Sequence, residues 1–147
     1  MTRFLLLLFF SLILSCKNSR NTISKPNVIL INADDLGWSD LSLMGSKYYE
    51  TPNIDRLADS GMTFYNAYAS AANCAPSRAS MLSGKYTTEH GIYTVGNSER
   101  GNKKTRKLIP IKNNKILDLD FFLISEMFKS EGYTNGIFGK WHLGPEG

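Results

Sequence analysis

The run Val28 to Ile31, inside "NVILINADDLG" (Asn27 to Gly37), constrains the fold more than any other stretch. It is short, unbroken and rich in β-branched residues. That is the pattern of a strand buried on both faces, as in a parallel sheet. It stops at Ala33, Asp34 and Asp35, and Gly37 permits a sharp turn. Two adjacent carboxylates then stand at the C-terminal edge of a central strand, where open α/β sheets bind ligands.

The segments that follow predict the partners of that strand. "TPNIDRLADSG" (Thr51 to Gly61) reads as a short helix: Thr51 to cap it, Pro52 in its first position and Gly61 as the left-handed residue after its end. Ile54, Leu57 and Ala58 make its inner stripe. "MTFYNAYAS" (Met62 to Ser70) alternates as a strand does. "CAPSRASMLSG" (Cys74 to Gly84) reads as a helix with Pro76 in its first turn and Gly84 at its end. Cys74 therefore sits just before a helix N-terminus, where free N–H groups favour negative charge. "LDLDFFLISEMFKSEG" (Leu117 to Gly132) is amphipathic, with Leu119, Phe122, Leu123 and Met127 on one face. "YTNGIF" (Tyr133 to Phe138) is a second buried-type strand and opens into "GKWHLG" (Gly139 to Gly144). Strand, helix, strand implies βαβ connections. The expected class is α/β, a mostly parallel or mixed central sheet flanked by helices.

Two regions lie outside that pattern. Residues 100 to 115 hold seven Lys or Arg and no acid, with Gly, Asn and Pro among them. They read as an exposed loop with a short extended piece at Leu108 to Ile111, either a solvated face or a surface that draws in a polyanion. The N-terminus carries Arg3 and then twelve uncharged residues, "FLLLLFFSLILS" (Phe4 to Ser15). A spanning helix needs about 20 apolar residues, so this run has the size of a signal-peptide core. Ile13, Ser15 and Cys16 resemble a bacterial lipobox, in which the cysteine is lipidated; the plainer reading is an ordinary cleaved signal with an incidental cysteine. The expected organisation is a lipoprotein-type signal peptide over 1–15, a polar tether over 16–26 and one catalytic portion over 27–147. The expected location is outside the bacterial cytoplasm, in the periplasm or at the cell surface, anchored to the membrane through Cys16. The net charge of +4, with no zinc-finger spacing and no basic helix, gives no support for nucleic-acid binding.

The cysteines sharpen the chemistry. There are two, and if Cys16 carries lipid, Cys74 has no partner within the chain. An odd cysteine in an exported protein points to a reactive thiol, an intermolecular bridge or a modified residue. Three polar clusters fall at strand edges or helix starts: Asp34 with Asp35, Cys74 with Arg78, and Lys140 with His142. Adjacent carboxylates repel, so a cation is their natural partner, and all-oxygen ligation favours Ca²⁺ or Mg²⁺ over zinc. Arg78 and Lys140 suit a tetrahedral anion, and His142 is a proton carrier near neutral pH. Together they suggest hydrolysis of a phosphate or sulfate ester. Taken singly, each has a plainer reading: the Asp pair as a turn cap, the cysteine as packing, "GKWHLG" as a turn. His90 reads as structural, and Trp38, Tyr48 and Tyr49 as packing.

From Pro26 to Gly147 the chain resembles the sulfatase family of the alkaline phosphatase superfamily. "CAPSR" matches the Cys-x-Pro-Ser-Arg core that directs oxidation of the cysteine to formylglycine. "NVILINADDLGWSD", "TPNIDRLADSGMTF", "MLSGKY" and "GYTNGIFGKWHLG" follow the family's order. The resemblance implies that a sulfatase-maturating enzyme converts Cys74 to an aldehyde. One hydroxyl of its hydrate attacks sulfur, and loss of the other's proton releases sulfate. It implies that Asp34, Asp35 and modified Cys74 bind the cation, Ca²⁺ before Mg²⁺. Arg78 steadies the hydrate, Lys140 contacts sulfate and hydrate, and His142 helps the deprotonation. The expected substrates are sulfate esters, with sulfated glycans inferred from the exported N-terminus and the basic loop. The family's domain is several times longer and supplies further metal and sulfate ligands. The chain is therefore expected to be an N-terminal fragment, inactive alone. The rivals are a phosphate- or phosphonate-ester hydrolase of the same superfamily and a non-catalytic surface protein that binds anionic sugar.

Overall fold

The computed structural model describes residues 24–144. The expected signal peptide, the expected lipidation site Cys16 and most of the expected tether fall outside the described residues. Backbone contacts divide the chain after Asn32. In the first unit the described part, residues 24–32, forms no helix and no strand. Val28, Ile29, Leu30 and Ile31 are 54%, 84%, 59% and 81% exposed.

The second unit holds four α-helices among its described residues: α1 (Pro52–Ser60), α2 (Cys74–Ser83), α3 (Thr87–His90) and α4 (Ile124–Ser130). Three single 3₁₀ turns accompany them, Trp38–Asp40, Ser42–Met44 and Lys103–Thr105. No described residue is in a β-strand, so the expected central sheet is not formed, and Val28–Ile31, Met62–Ser70 and Tyr133–Phe138 are not strands. The physical reason is pairing. A strand's N–H and C=O groups need a neighbouring strand, and an apolar run buried on both faces needs cover on both. Neither is present among the described residues. Ile137 and Phe138 remain 64% and 95% exposed.

Pro52 opens α1 as its composition requires, since its missing N–H is one the first turn leaves unbonded anyway. Thr51 does not cap the helix backbone. Its hydroxyl instead donates to Asp55 Oδ1 (3.0 Å) and accepts from the Ser42 N–H (3.0 Å), tying α1 to the 3₁₀ turn before it. Gly61 is not left-handed: its φ is −132°. The stripe of α1 stays uncovered, with Ile54 40% and Leu57 65% exposed.

The helix expected over Leu117 to Gly132 contracts to α4, seven residues. Asp118 competes with the backbone upstream. Its Oδ1 accepts from the Asp120 N–H (3.1 Å), a local turn that offers the chain an alternative to helix. Glu126 then reaches back to the Leu123 N–H (2.7 Å), which starts α4 there. Leu119 and Phe122, expected on the buried face, are 95% and 64% exposed.

The core lies beneath α2. Ala75, Ala79, Ile92, Leu117 and Leu143 are buried, and Leu82, Val95, Phe121 and Leu123 pack against them. Small residues on α2 let three distant segments approach it. The Leu117 N–H donates to the Leu143 carbonyl (3.0 Å), so the start of the α4 region and the end of "GKWHLG" meet at that core. His90, at the end of α3, fastens to α2. Its Nδ1 accepts from the Ile92 N–H (3.1 Å), which leaves the ring proton on Nε2 to be donated to Ser80 Oγ (3.0 Å). His90 is 2% exposed, and its two ring bonds give it a structural place between α2 and α3. Burial pushes its pKa below the usual histidine value, so the neutral ring is the folded form.

Candidate active site

Cys74 is the first residue of α2, with Asn73 in extended conformation at the cap position. Asn73 does not cap; its side-chain amide donates to Thr94 Oγ1 (2.8 Å). Pro76 is tolerated because it lies in the first turn, where N–H groups have no helical partner. The first helical bond runs from the Ser77 N–H to the Asn73 carbonyl (3.1 Å). Arg78 follows Cys74 by four residues, so both side chains leave α2 on one face.

That face meets the Asp34–Asp35 segment and "GKWHLG". One Arg78 guanidinium nitrogen donates to Asp34 Oδ1 (3.0 Å) and the other to the Lys140 carbonyl (2.8 Å). The Lys140 ammonium donates to the second Asp34 oxygen (2.6 Å). Cys74 Sγ lies 3.6 Å from Asp35 Oδ1 and donates to it. Arg78 is 11% exposed and its Nε has no partner in the protein. A fork-shaped cation thus joins segments 44 and 62 residues away in sequence.

The electrostatics follow from these contacts. Hydrogen bonds from Lys140 and then Arg78 hold the Asp34 carboxyl down at about 2, well below its ordinary value. Asp34 raises the Lys140 pKa in turn, and the nearby Cys74 adds to that rise. Asp34 is a carboxylate and Lys140 an ammonium at any ordinary pH. Two non-glycine residues here have positive φ, Asp35 (55°) and His142 (63°). Such backbone is uncommon outside glycine, and its recurrence at functional sites is a known use of strain.

Five of the six expected residues, Asp34, Asp35, Cys74, Arg78 and Lys140, are therefore in one knot of direct contacts. His142 stands beside it. It lines a cleft of about 160 Å³ with Ala75, Ile92, Thr94, Gly96, Asn114, Lys115 and Gly144, and its Nδ1 is shielded from solvent without a hydrogen-bond partner. Lys115 in that cleft was read from sequence only as one charge of the basic loop. Its signal was absent because nothing local marks a lysine as facing a histidine 27 positions on.

Single ligand atoms of Asp34, Asp35 and Cys74 lie within 4.8 Å of one another, a spacing one cation can bridge. Ca²⁺ takes about six to eight oxygens, so these residues fit one side of its shell. A thiol is a soft ligand; an oxygen-bearing derivative of Cys74 makes the set all-oxygen.

With this geometry, comparison with known proteins is informative. The family described as Sulfatase matches residues 26–146. The chain belongs to the sulfatase family. It is 44% identical over 145 residues to a sulfatase of Formosa agariphila, covering 92% of this chain and 26% of that one. It is 41% identical over 130 residues to an N-acetylgalactosamine-6-O-sulfatase of Bacteroides thetaiotaomicron, covering 87% and 22%. The crystal structure of Ps i-CgsB superposes with a TM-score of 0.68 at 38% identity, over 84% of this chain and 25% of that one. The fold is sulfatase-like, of the alkaline phosphatase kind, by this kinship. The chain spans roughly a quarter of the length of these relatives.

Proposed function

We propose that this chain carries the nucleophile portion of a sulfuric-ester hydrolase acting on sulfated carbohydrate. One observation carries the reading: Cys74, at the start of α2, lies among two carboxylates, a guanidinium fork and an ammonium in direct mutual contact. Kinship with sulfatases, including one acting on N-acetylgalactosamine 6-sulfate by its name, supports the substrate class.

Oxidation of Cys74 to formylglycine by a maturating enzyme would provide a hydrate with two hydroxyls, one to attack sulfur and one to release sulfate. A divalent cation, Ca²⁺ before Mg²⁺, held by Asp34, Asp35 and the modified Cys74 would supply the charge that acidifies the attacking hydroxyl. The remaining work falls to this chain's own groups. Arg78 is fixed at both ends and holds the Asp34 segment against Lys140, so the nucleophile's surroundings are set before substrate arrives. The Lys140 ammonium, kept charged by Asp34, faces position 74 and offers positive charge to a sulfate oxygen. His142, whose Nδ1 has no hydrogen-bond partner in the cleft it shares with Ala75, is the group assigned to help deprotonate the hydrate. Export and lipid anchoring through Cys16 would bring the site to extracellular polymer.

The test is mass spectrometry across Cys74 together with turnover. The expected peptide has lost H₂S and gained one oxygen atom, and in a protein of the relatives' full length Cys74→Ala removes aryl sulfate hydrolysis. A free thiol with undiminished hydrolysis in Cys74→Ala sinks the proposal. Faster cleavage of aryl phosphate than aryl sulfate transfers the site to phosphate esters. Sugar binding without turnover after oxidation leaves a non-catalytic sugar-binding protein.

A further inference from the structure

Residues 97–112 form a basic arm whose shape is held by its own side chains. Asn113 closes its base. The Asn113 Oδ1 accepts from the N–H groups of Tyr93 (2.7 Å) and Thr94 (3.1 Å), while its Nδ2 donates to the carbonyls of Thr94 (3.0 Å) and Gly96 (2.9 Å). Ser98 Oγ donates to the Ile111 carbonyl and joins the two limbs above that base. At the tip, Asn102 Oδ1 accepts from the Lys104 N–H (2.9 Å) and starts the 3₁₀ turn Lys103–Thr105.

One cation of the arm is a strut. The Arg106 side chain is 17% exposed, pairs with Glu99 (3.4 Å), and donates to the carbonyls of Arg100 (3.2 Å) and Gly101 (3.4 Å). That pairing also occupies Glu99, the nearest acid. The other six cations from Arg100 to Lys115 are exposed and belong to no ion pair among the described residues. The series ends at Lys115, which lines the cleft shared with His142. The last cation of the series therefore shares a cleft with a residue of the candidate active site.

We infer that the arm is a binding surface for a sulfated polysaccharide, engaging sulfates along the polymer other than the one presented to Cys74. The inference rests on the sulfatase reading of that site. Sulfate monoesters stay anionic at all working pH, and exposed cations that belong to no ion pair concentrate such a polymer near the surface. Residues 97–115 contain no aromatic residue on which bases could stack, which disfavours single-stranded nucleic acid. Leu108 and Ile109, 81% and 97% exposed, are the feature a lipid surface would use, so anionic vesicles form the second arm of the test.

The experiment measures binding of the full chain to dextran sulfate, to uncharged dextran and to vesicles of anionic phospholipid. Two triple variants of equal charge are compared: K103Q/K104Q/K107Q in the arm and K47Q/R56Q/K129Q outside it. At ~0.05 M salt the arm triple is expected to bind dextran sulfate about tenfold more weakly or worse, with a log–log salt slope smaller by roughly two. The outer triple is expected to bind as the parent does, and Cys74→Ala retains polymer binding. Equal losses in both triples, equal binding to dextran, or tighter binding to vesicles overturns the inference. Failure of the sulfatase reading shows separately, as an unmodified Cys74 without ester hydrolysis.

Discussion

Arg78 illustrates how much one side chain settles. Its planar fork reaches the Lys140 carbonyl and Asp34 together, and a lysine has one point charge for two partners. In an oxidised protein of the relatives' full length, Arg78→Lys is expected to lower kcat on aryl sulfate about a hundredfold. A rate within a few-fold of the parent removes Arg78 from the proposed mechanism. Glycine carries a second residue-scale prediction. Gly84 and Gly91 both have left-handed φ, 67° and 70°, but a Cβ at Gly84 meets open space. One at Gly91 comes within 2.6 Å of Asn114 Nδ2, which donates to the His90 carbonyl. Gly84→Ala is expected to cost about 1 kcal/mol from backbone strain. Gly91→Ala is expected to cost more in the same denaturant titration, since it also displaces Asn114. The reverse order contradicts the assignment of Asn114 as a tie.

At the scale of elements, α2 is the platform and His90 its fastener. The neutral ring is what the fold accommodates, and its pKa lies below the ordinary value near 6.5. As pH falls through that ordinary value the unfolded chain takes up a proton that the folded chain resists. The stabilisation is present above pH ~6.5 and is lost as pH drops toward the depressed folded pKa. Thermal unfolding followed from pH 7.5 downward should show a falling midpoint, and His90→Gln should flatten that dependence. An unchanged dependence in the variant means other groups carry it. Loss of α2's fastener should also disturb Cys74, because Ser80 and Cys74 lie on the same ten-residue helix.

For the whole molecule the prominent fact is apolar exposure. Ile29, Ile31, Phe64, Tyr68, Ile109, Leu119 and Phe138 are all more than 70% exposed. Surfaces of this kind mark interaction sites or aggregation liabilities. The 147-residue chain is expected to bind a hydrophobic dye and to scatter light increasingly with concentration. Phe138→Ser with Ile109→Ser should reduce both signals. Clear, dye-free solutions at high concentration would show that these side chains are covered after all. The relatives matched are about four times longer than this chain.

Local chemistry alone was enough to read the start of α1 at Pro52, the helix end at Gly84, and the family to which "CAPSR" belongs. Each depends on neighbours within about one turn of chain, where sterics and hydrogen bonding leave few options. What needed the tertiary structure was everything that joins distant residues. The Arg78 fork between Asp34 and Lys140, the placing of Lys115 beside His142 and the unpaired state of Val28–Ile31 are of this kind. An apolar, β-branched run announces that it wants burial on two faces, but whether it becomes a strand depends on which chain lies next to it. Hydrogen-bond partners across a ladder are not encoded in the run itself.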